Sequence, residues 1–384
     1  MTLPRIHRRR LLQWGAAGAL LPARLTLAAA SAAPLAPRLV VVMLRGALDG
    51  LAALPAPGDP AWQALRGAAA EGPAPLPLDG FFALHPALAG LHGWYRAGEL
   101  LPVHALASPY RERSHFDAQQ LLESGGERPF ALATGWLGRA LQASGQPAVA
   151  LVSSMPVALR GSDRASTWTP ARPGPGGDAD LAARVARLYE GDAALAAAWS
   201  QALAQQDMLA GGTTDGTGGF AALAARAGDF LAGERGPRVA WLESSGWDTH
   251  AQQAARLQRL LHGLDEGLAA LKQALGARWA QSTVLVMTEF GRSALLNGSG
   301  GTDHGTGGLA LLAGGAVAGG RVLADWPGLA PAQLLDGRDL RPTLDLRLVI
   351  AALLQRQFGL SQAQLAGGVL PGVDVRHAPP LWRA

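Results

Sequence analysis

Three stretches of this chain read as buried strands, and each runs out into a loop carrying acids or histidines. Residues 38–44 (RLVVVML) open onto Asp49. Residues 238–243 (RVAWLE) end in Glu243 and open onto Asp248 and His250. Residues 282–289 (STVLVMTE) lead to the glycine-rich run GGTDHGTGG at 300–308, which holds Asp303 and His304. In open α/β sheets, ligands bind in the crevice beyond the carboxyl ends of the strands. Acids and imidazoles converging there predict a metal or acid–base site.

Further apolar runs of strand type occupy 100–106, 147–153, 309–313 and 321–323. Between 178 and 233 lie Ala/Leu-rich helical segments, interrupted by a Gly/Thr loop at 211–219. Leu257, Leu260, Leu261, Leu264, Leu268, Leu271 and Leu275 form one apolar helical stripe. That helix is expected to start near Thr249, with Gln252 as a capping-box partner. A last helix is expected over 341–358, with Pro342 in its first turn. The alternation of strands and helices predicts an α/β fold: a mostly parallel sheet with helices on both faces. It forms one domain over 33–384 with a helical insertion near 178–235.

The first 32 residues hold Arg5, Arg8, Arg9, Arg10 and Arg24 and no acid. The paired arginines, the apolar stretch to Ala30 and the small residues at 28–33 predict a twin-arginine signal peptide over 1–32. That implies the Tat translocase as an export partner and a periplasmic destination. Pro22 and Arg24 break the apolar run, which makes it a poor membrane span. The alternative is a basic N-terminus with an amphipathic helix. Removing those five arginines from 33 basic residues leaves 28 against 29 acids, a net of −1. No general basic field remains for nucleic acid. The absence of cysteine excludes disulfides, thiolate nucleophiles and cysteine zinc sites.

Each motif has a plain structural reading beside the functional one. Asp303 and His304 suit a metal or a proton relay, with glycine supplying the backbone angles for both to point inward. The same Asp also suits a turn cap. Asp248 or Thr249 suits a helix cap as well as a ligand. Asp49-Gly50 is a common turn pair. Arg113, Ser114 and His115 precede a helix expected over 118–123. A hydroxyl there, near arginines, suits a nucleophile attacking an anionic centre. Asp117 is the rival cap. Glu289 either supports a ligand or pairs with Arg292 on the surface.

These segments together resemble the exported DUF1501 proteins. The resemblance runs through VVVMLRGALDGL (40–51), DGFFALHPAL (79–88), YRAGELLPVHALASPYRERSHFDAQ (95–119) and TGWLGR (134–139). It continues through SGWDTH (245–250), TEFGR (288–292), GSGGTDHGTGG (298–308) and DGRDLRPTLDLR (336–347). The family is similar to the alkaline phosphatase and sulfatase fold. The resemblance implies metal ligands at Asp49, then Glu243, Asp248 and His250, then Asp303 and His304. It places 108–114 where that superfamily carries its nucleophile, and LLESG at 121–125 is similar to the segment after a sulfatase nucleophile. This chain has Ala52 where the family usually has Asn, and His250 lies closer to Asp248 than in phosphatases. A formylglycine made from cysteine is excluded.

The leading expectation is a periplasmic metal-dependent hydrolase of small phosphate or sulfate esters. One or two divalent ions (zinc, manganese, calcium or magnesium) would activate Ser114 or a water. Arg113 would hold an anionic oxygen, and His115 would serve as acid, base or ligand. The rivals are a catalytically silent binding or assembly protein on the same fold, and a purely structural metal site.

Overall fold

The computed structural model describes residues 36–67, 74–170, 179–193, 195–197, 199–200 and 219–383. The expected signal peptide at 1–32 and the Gly/Thr loop at 211–218 lie outside the described residues. Among the described residues there are ten strands: β1 (Arg38–Arg45), β2 (Leu76–Pro77), β3 (Ala83–Leu84), β4 (Leu100–Ala107), β5 (Ala148–Ala150), β6 (Ala165–Thr167), β7 (Val239–Ser245), β8 (Ser282–Thr288), β9 (Gly308–Ala313) and β10 (Leu344–Asp345). Eight of them form one sheet in the order β10-β4-β9-β8-β1-β7-β5-β6, and β2 pairs only with β3. Within the large sheet, only β9 runs antiparallel to its neighbours, β8 and β4.

Side chains alternate across a strand, so a strand buried on both faces must be apolar throughout. β1 shows this directly. Leu39, Val41 and Met43 enter one core, and Val40, Val42 and Leu44 enter the other. The first core is closed by α4 (His115–Ser124), α5 (Trp136–Ser144) and α9 (Leu346–Phe358), through residues such as Leu122, Trp136, Leu141 and Ile350. The second is closed by α3 (Ala89–Arg96), α7 (Gly219–Ala232) and α8 (Gln253–Leu275). The leucine stripe of α8 packs here, with Leu260 only partly buried. Shorter helices α1 (Gly50–Ala53) and α2 (Trp62–Arg66) come after β1, and α6 (Ala179–Tyr189) precedes α7. Among the described residues, no helix is long and apolar enough to cross a membrane.

Several local expectations need correction. Residues 321–323 form no strand; Leu323 makes a single bridge to Val103. The last helix begins at Leu346, because Leu344 and Asp345 first pair with β4. The Asp345 side chain then accepts from Arg347 N at 2.8 Å. Helix α4 begins at His115, three residues earlier than expected, with Ser114 at its N-cap position. Helix α8 begins at Gln253 and has no capping box, because the glycine-rich loop substitutes for it. The backbone amides of Gln252 and Gln253 donate to Ser299 O (3.1 Å) and Gly300 O (2.9 Å). Of the expected helical insertion, α7 is a core helix: a Cβ on Gly228 would sit 2.5 Å from Ala274 Cβ of α8.

Candidate metal centre

The carboxyl ends of β8, β1 and β7 are neighbours in the sheet, so the three acid- and histidine-bearing loops open side by side. The N-terminus of α4 reaches the same place. The glycine-rich loop fits because it has no side chains to clash. A Cβ on Gly301 would lie 2.3 Å from His250 C, and one on Gly305 would lie 2.3 Å from Arg292 C. Glycine is required here for close approach more than for backbone angle, since only Gly300 in this loop has positive φ.

Three imidazoles and one carboxylate converge. His304 Nε2 lies 3.0 Å from His115 Nε2 and 2.9 Å from His250 Nε2. Asp248 Oδ1 is 2.9 Å from His250 Nε2 and 3.3 Å from His304 Nε2. Asp248 Oδ2 is 3.5 Å from His115 Nε2. Phe290 forms an apolar wall, with its ring stacked 4.9 Å from that of His115.

The outer nitrogens determine which way the lone pairs point. His115 Nδ1 faces Glu289 Oε1 at 2.8 Å, and His250 Nδ1 faces Asp303 Oδ1 at 3.2 Å. His304 Nδ1 faces the carbonyl of Arg113 at 2.9 Å. A carboxylate and a carbonyl only accept, so each Nδ1 carries the proton. In the neutral ring each Nε2 then presents a bare lone pair to the same small region. Such mutually facing lone pairs are unfavourable unless a cation or proton lies among them. This pattern of an outer acceptor fixing the tautomer of an inner ligand is typical of metal-binding histidines.

The spacing also fits. Ligands on a tetrahedron with bonds of about 2.0–2.1 Å lie roughly 3.3 Å apart. The five contacts above span 2.9–3.5 Å, and one ligand atom from each of His115, Asp248 and His304 lies within 4.8 Å of the other two. Burial would raise the Asp248 carboxyl, but the hydrogen bond and charge of Arg292 hold it below its usual value. Arg292 itself is buried and donates to Asp248 Oδ1 at 2.5 Å. The Glu289 bond raises His115 above the usual imidazole value, against burial. Burial lowers His304, and the nearby charge of His115 adds to that.

The sequence-nominated residues divide into three groups. Asp248, His250 and His304 meet at the centre, joined by His115. Asp303 stands one step out, holding His250. Asp49 and Glu243 are engaged by arginines instead. Asp49 accepts from Arg66 at 2.8 and 3.2 Å, with both side chains 1% exposed. Glu243 accepts from Arg45 through both oxygens at 2.6 Å. Both acids still reach the centre through hydrogen bonds. Arg292 Nε donates to Thr302, Thr302 to Gln253, and Gln253 to Asp49. On the other side, Arg45 bridges Glu243 to Gln119, which donates to Glu289 Oε1 at 2.9 Å.

Ser114 and Arg113 also differ from expectation. Ser114 takes the N-cap position of α4 but its side chain makes no cap hydrogen bond, and the nearby Tyr110 phenol donates to Asp117 Oδ2 at 3.2 Å. The guanidinium of Arg113 is bound to Asp339 at 2.8 and 3.0 Å. What Arg113 supplies to the centre is its carbonyl, presented from a left-handed backbone (φ 60°) that non-glycine residues rarely adopt. Sequence reasoning missed Gln119, Arg292 as the partner of Asp248, and Asp339. One signal was available for Gln119: it lies four residues after His115, on the same helix face.

A family model described as a protein of unknown function, DUF1501, matches residues 102–370. No curated protein matches the chain. Among solved structures, a putative sulfatase from Bacteroides thetaiotaomicron is similar at 10% identity and TM-score 0.39, covering 85% of this chain and 71% of that one. A protein in the alkaline phosphatase superfamily from Vibrio parahaemolyticus is similar at 12% identity and TM-score 0.39, covering 76% and 63%. The C-terminal periplasmic domain of EcEptC from Escherichia coli, in complex with Zn, is similar at 9% identity and TM-score 0.36, covering 73% of each chain.

Proposed function

The chain belongs to the DUF1501 family, and we propose that it is a periplasmic hydrolase that binds a divalent ion and cleaves phosphate or sulfate esters. The observation that carries this reading is the set of three imidazoles, each with Nδ1–H held by an acceptor and Nε2 turned toward Asp248. His115, Asp248, His250 and His304 would hold the ion. Imidazole-rich donors with one carboxylate favour zinc over magnesium or calcium. When bound, such an ion polarises an ester oxygen and lowers the pKa of a water.

The protein's own groups have distinct tasks. Glu289, Asp303 and the Arg113 carbonyl keep the three Nδ1 protons in place. Arg292 keeps Asp248 ionised. Arg113 and Arg338 converge on the buried carboxylate of Asp339, with the largely exposed Asp336 3.5 Å from Arg113. Asp339 and Asp336 balance both guanidiniums, so attraction of the anionic half of the ester is left to the ion. The Phe290 wall lowers the local dielectric and strengthens these interactions. A water is the proposed nucleophile.

Elemental analysis of protein purified folded from the periplasm tests the site. About one equivalent of zinc, lost in an Asp248→Asn, His304→Ala variant, supports it and justifies a screen of phosphate and sulfate esters. No retained metal after reconstitution overturns it. The tie of the Arg113 guanidinium to Asp339 favours one second reading, a silent binding protein on the same site. A metal-loaded protein that turns over none of these esters supports that alternative.

A further inference from the structure

Four acids of this region each touch a guanidinium: Asp49 at 2.8 Å, Glu123 at 2.9 Å, Asp248 at 2.5 Å and Asp339 at 2.8 Å. Among the described residues, Glu289 pairs with none. It is 1% exposed, and its ion-pair partner is His115, at 2.8 Å. A buried charge without a fixed counter-ion acts strongly on the group it touches, because little solvent screens it.

Arg45 comes within one side chain of Glu289. Its guanidinium donates to Glu123, to both oxygens of Glu243, and through Nη1 to Gln119 Oε1 at 2.8 Å. Gln119 Nε2 then donates to Glu289 Oε1 at 2.9 Å. A guanidinium only donates and a carboxylate only accepts, so the amide has one orientation. The neutral amide carries the hydrogen bond onward without carrying the charge. His115 and Gln119 lie one turn apart on α4, and both bind the same oxygen. Gly46 N, next to Arg45, is the third donor to it, at 2.8 Å.

We propose that Gln119 is a positioning residue for His115: it holds Glu289 Oε1 on the Nδ1 proton and keeps the charge of Arg45 off that carboxylate. Glu243 and Glu123 hold Arg45 back in turn, which gives Glu243 a task other than ligation. The proposal rests on the reading that His115 binds the ion, since an anionic acceptor on Nδ1 makes Nε2 the stronger donor to a cation.

The test is the zinc affinity of the full chain, read by competition with a chelating dye, beside its melting temperature. Gln119→Met should weaken zinc binding roughly tenfold. Gln120→Met is the control: that side chain lies on the same helix but bonds Phe130 N and Leu132 O, so its loss should leave zinc affinity unchanged. Gln119→Glu keeps an acceptor for Arg45 and loses the donor to Glu289; it should share the loss of zinc, and it serves if Gln119→Met does not fold. In a Glu289→Gln background, Gln119→Met should change zinc affinity by less than about twofold, because its effect runs through Glu289. Equal losses in Gln119→Met and Gln120→Met, or losses that add in the double variant, make the role of Gln119 purely structural. Those results, or full zinc affinity in Gln119→Met or Gln119→Glu, overturn the proposal and leave the hydrolase reading standing. A wild-type chain that binds no zinc after reconstitution overturns both.

Discussion

Replacing Arg66 with Met removes the counter-charge of Asp49. Both side chains are 1% exposed, so solvent screens the pair very little. Burial alone would raise the Asp49 carboxyl; the charge and hydrogen bonds of Arg66 keep it below its usual value. With Arg66 gone, the carboxylate keeps only Gln253 Nε2 at 2.7 Å and Ala52 N at 3.1 Å. Breaking a buried pair by removing one partner costs about 3–5 kcal/mol. Arg66 also donates to the carbonyls of Ser293 and Ala294, so the expected loss lies toward the upper end of that range. Adding Asp49→Asn removes the stranded charge, and a coupling of about 1–3 kcal/mol should reappear as recovered stability in the double variant. The assay is guanidinium denaturation tracked by tryptophan fluorescence and by circular dichroism, with zinc content measured in parallel. A single-variant loss below about 1 kcal/mol, or strict additivity in the double variant, refutes the buried-pair argument. If Asp49→Asn abolishes zinc binding while the fold persists, Asp49 is a ligand and its assignment to Arg66 alone is wrong.

Glu289→Gln removes the carboxylate that fixes the His115 tautomer and should weaken zinc binding by about 10–100-fold, read by competition with a chelating dye. His104 is wholly buried and neutral, its pKa pushed down to about 4 from 6.5 by burial. The unfolded chain therefore takes up the proton first: stability is complete above pH 6.5 and falls as pH drops toward 4. That fall amounts to about 3 kcal/mol for this group, and the pH dependence of denaturation in His104→Gln should lack it. Gly305→Ala places a Cβ 2.3 Å from the Arg292 backbone. It should cost about 1–3 kcal/mol and reduce zinc content, because the loop that carries His304 must shift. An unchanged melting temperature and full zinc content would refute that.

The large strands were legible in the sequence because both faces of the sheet are buried. Side chains of β1, β7 and β8 face cores in both directions, so local composition alone marks them. The glycine-rich loop was legible too, though the reason is the missing room at Gly301 and Gly305 rather than backbone angle. Helix starts were harder, because the amides opening α8 are satisfied by Ser299 and Gly300, far along the chain. The same holds at the centre. A carboxylate after a strand reads identically whether it meets a metal or a guanidinium. Asp49 finds Arg66 17 residues away, and Glu243 finds Arg45 198 residues away. The sequence by itself determined the long buried strands β1, β4, β7, β8 and β9 and set acids and histidines just past the carboxyl ends of β1, β7 and β8. Tertiary structure decided which of those groups present bare lone pairs and which are neutralised, because hydrogen-bond partners are chosen by distance in space and not by position in the chain.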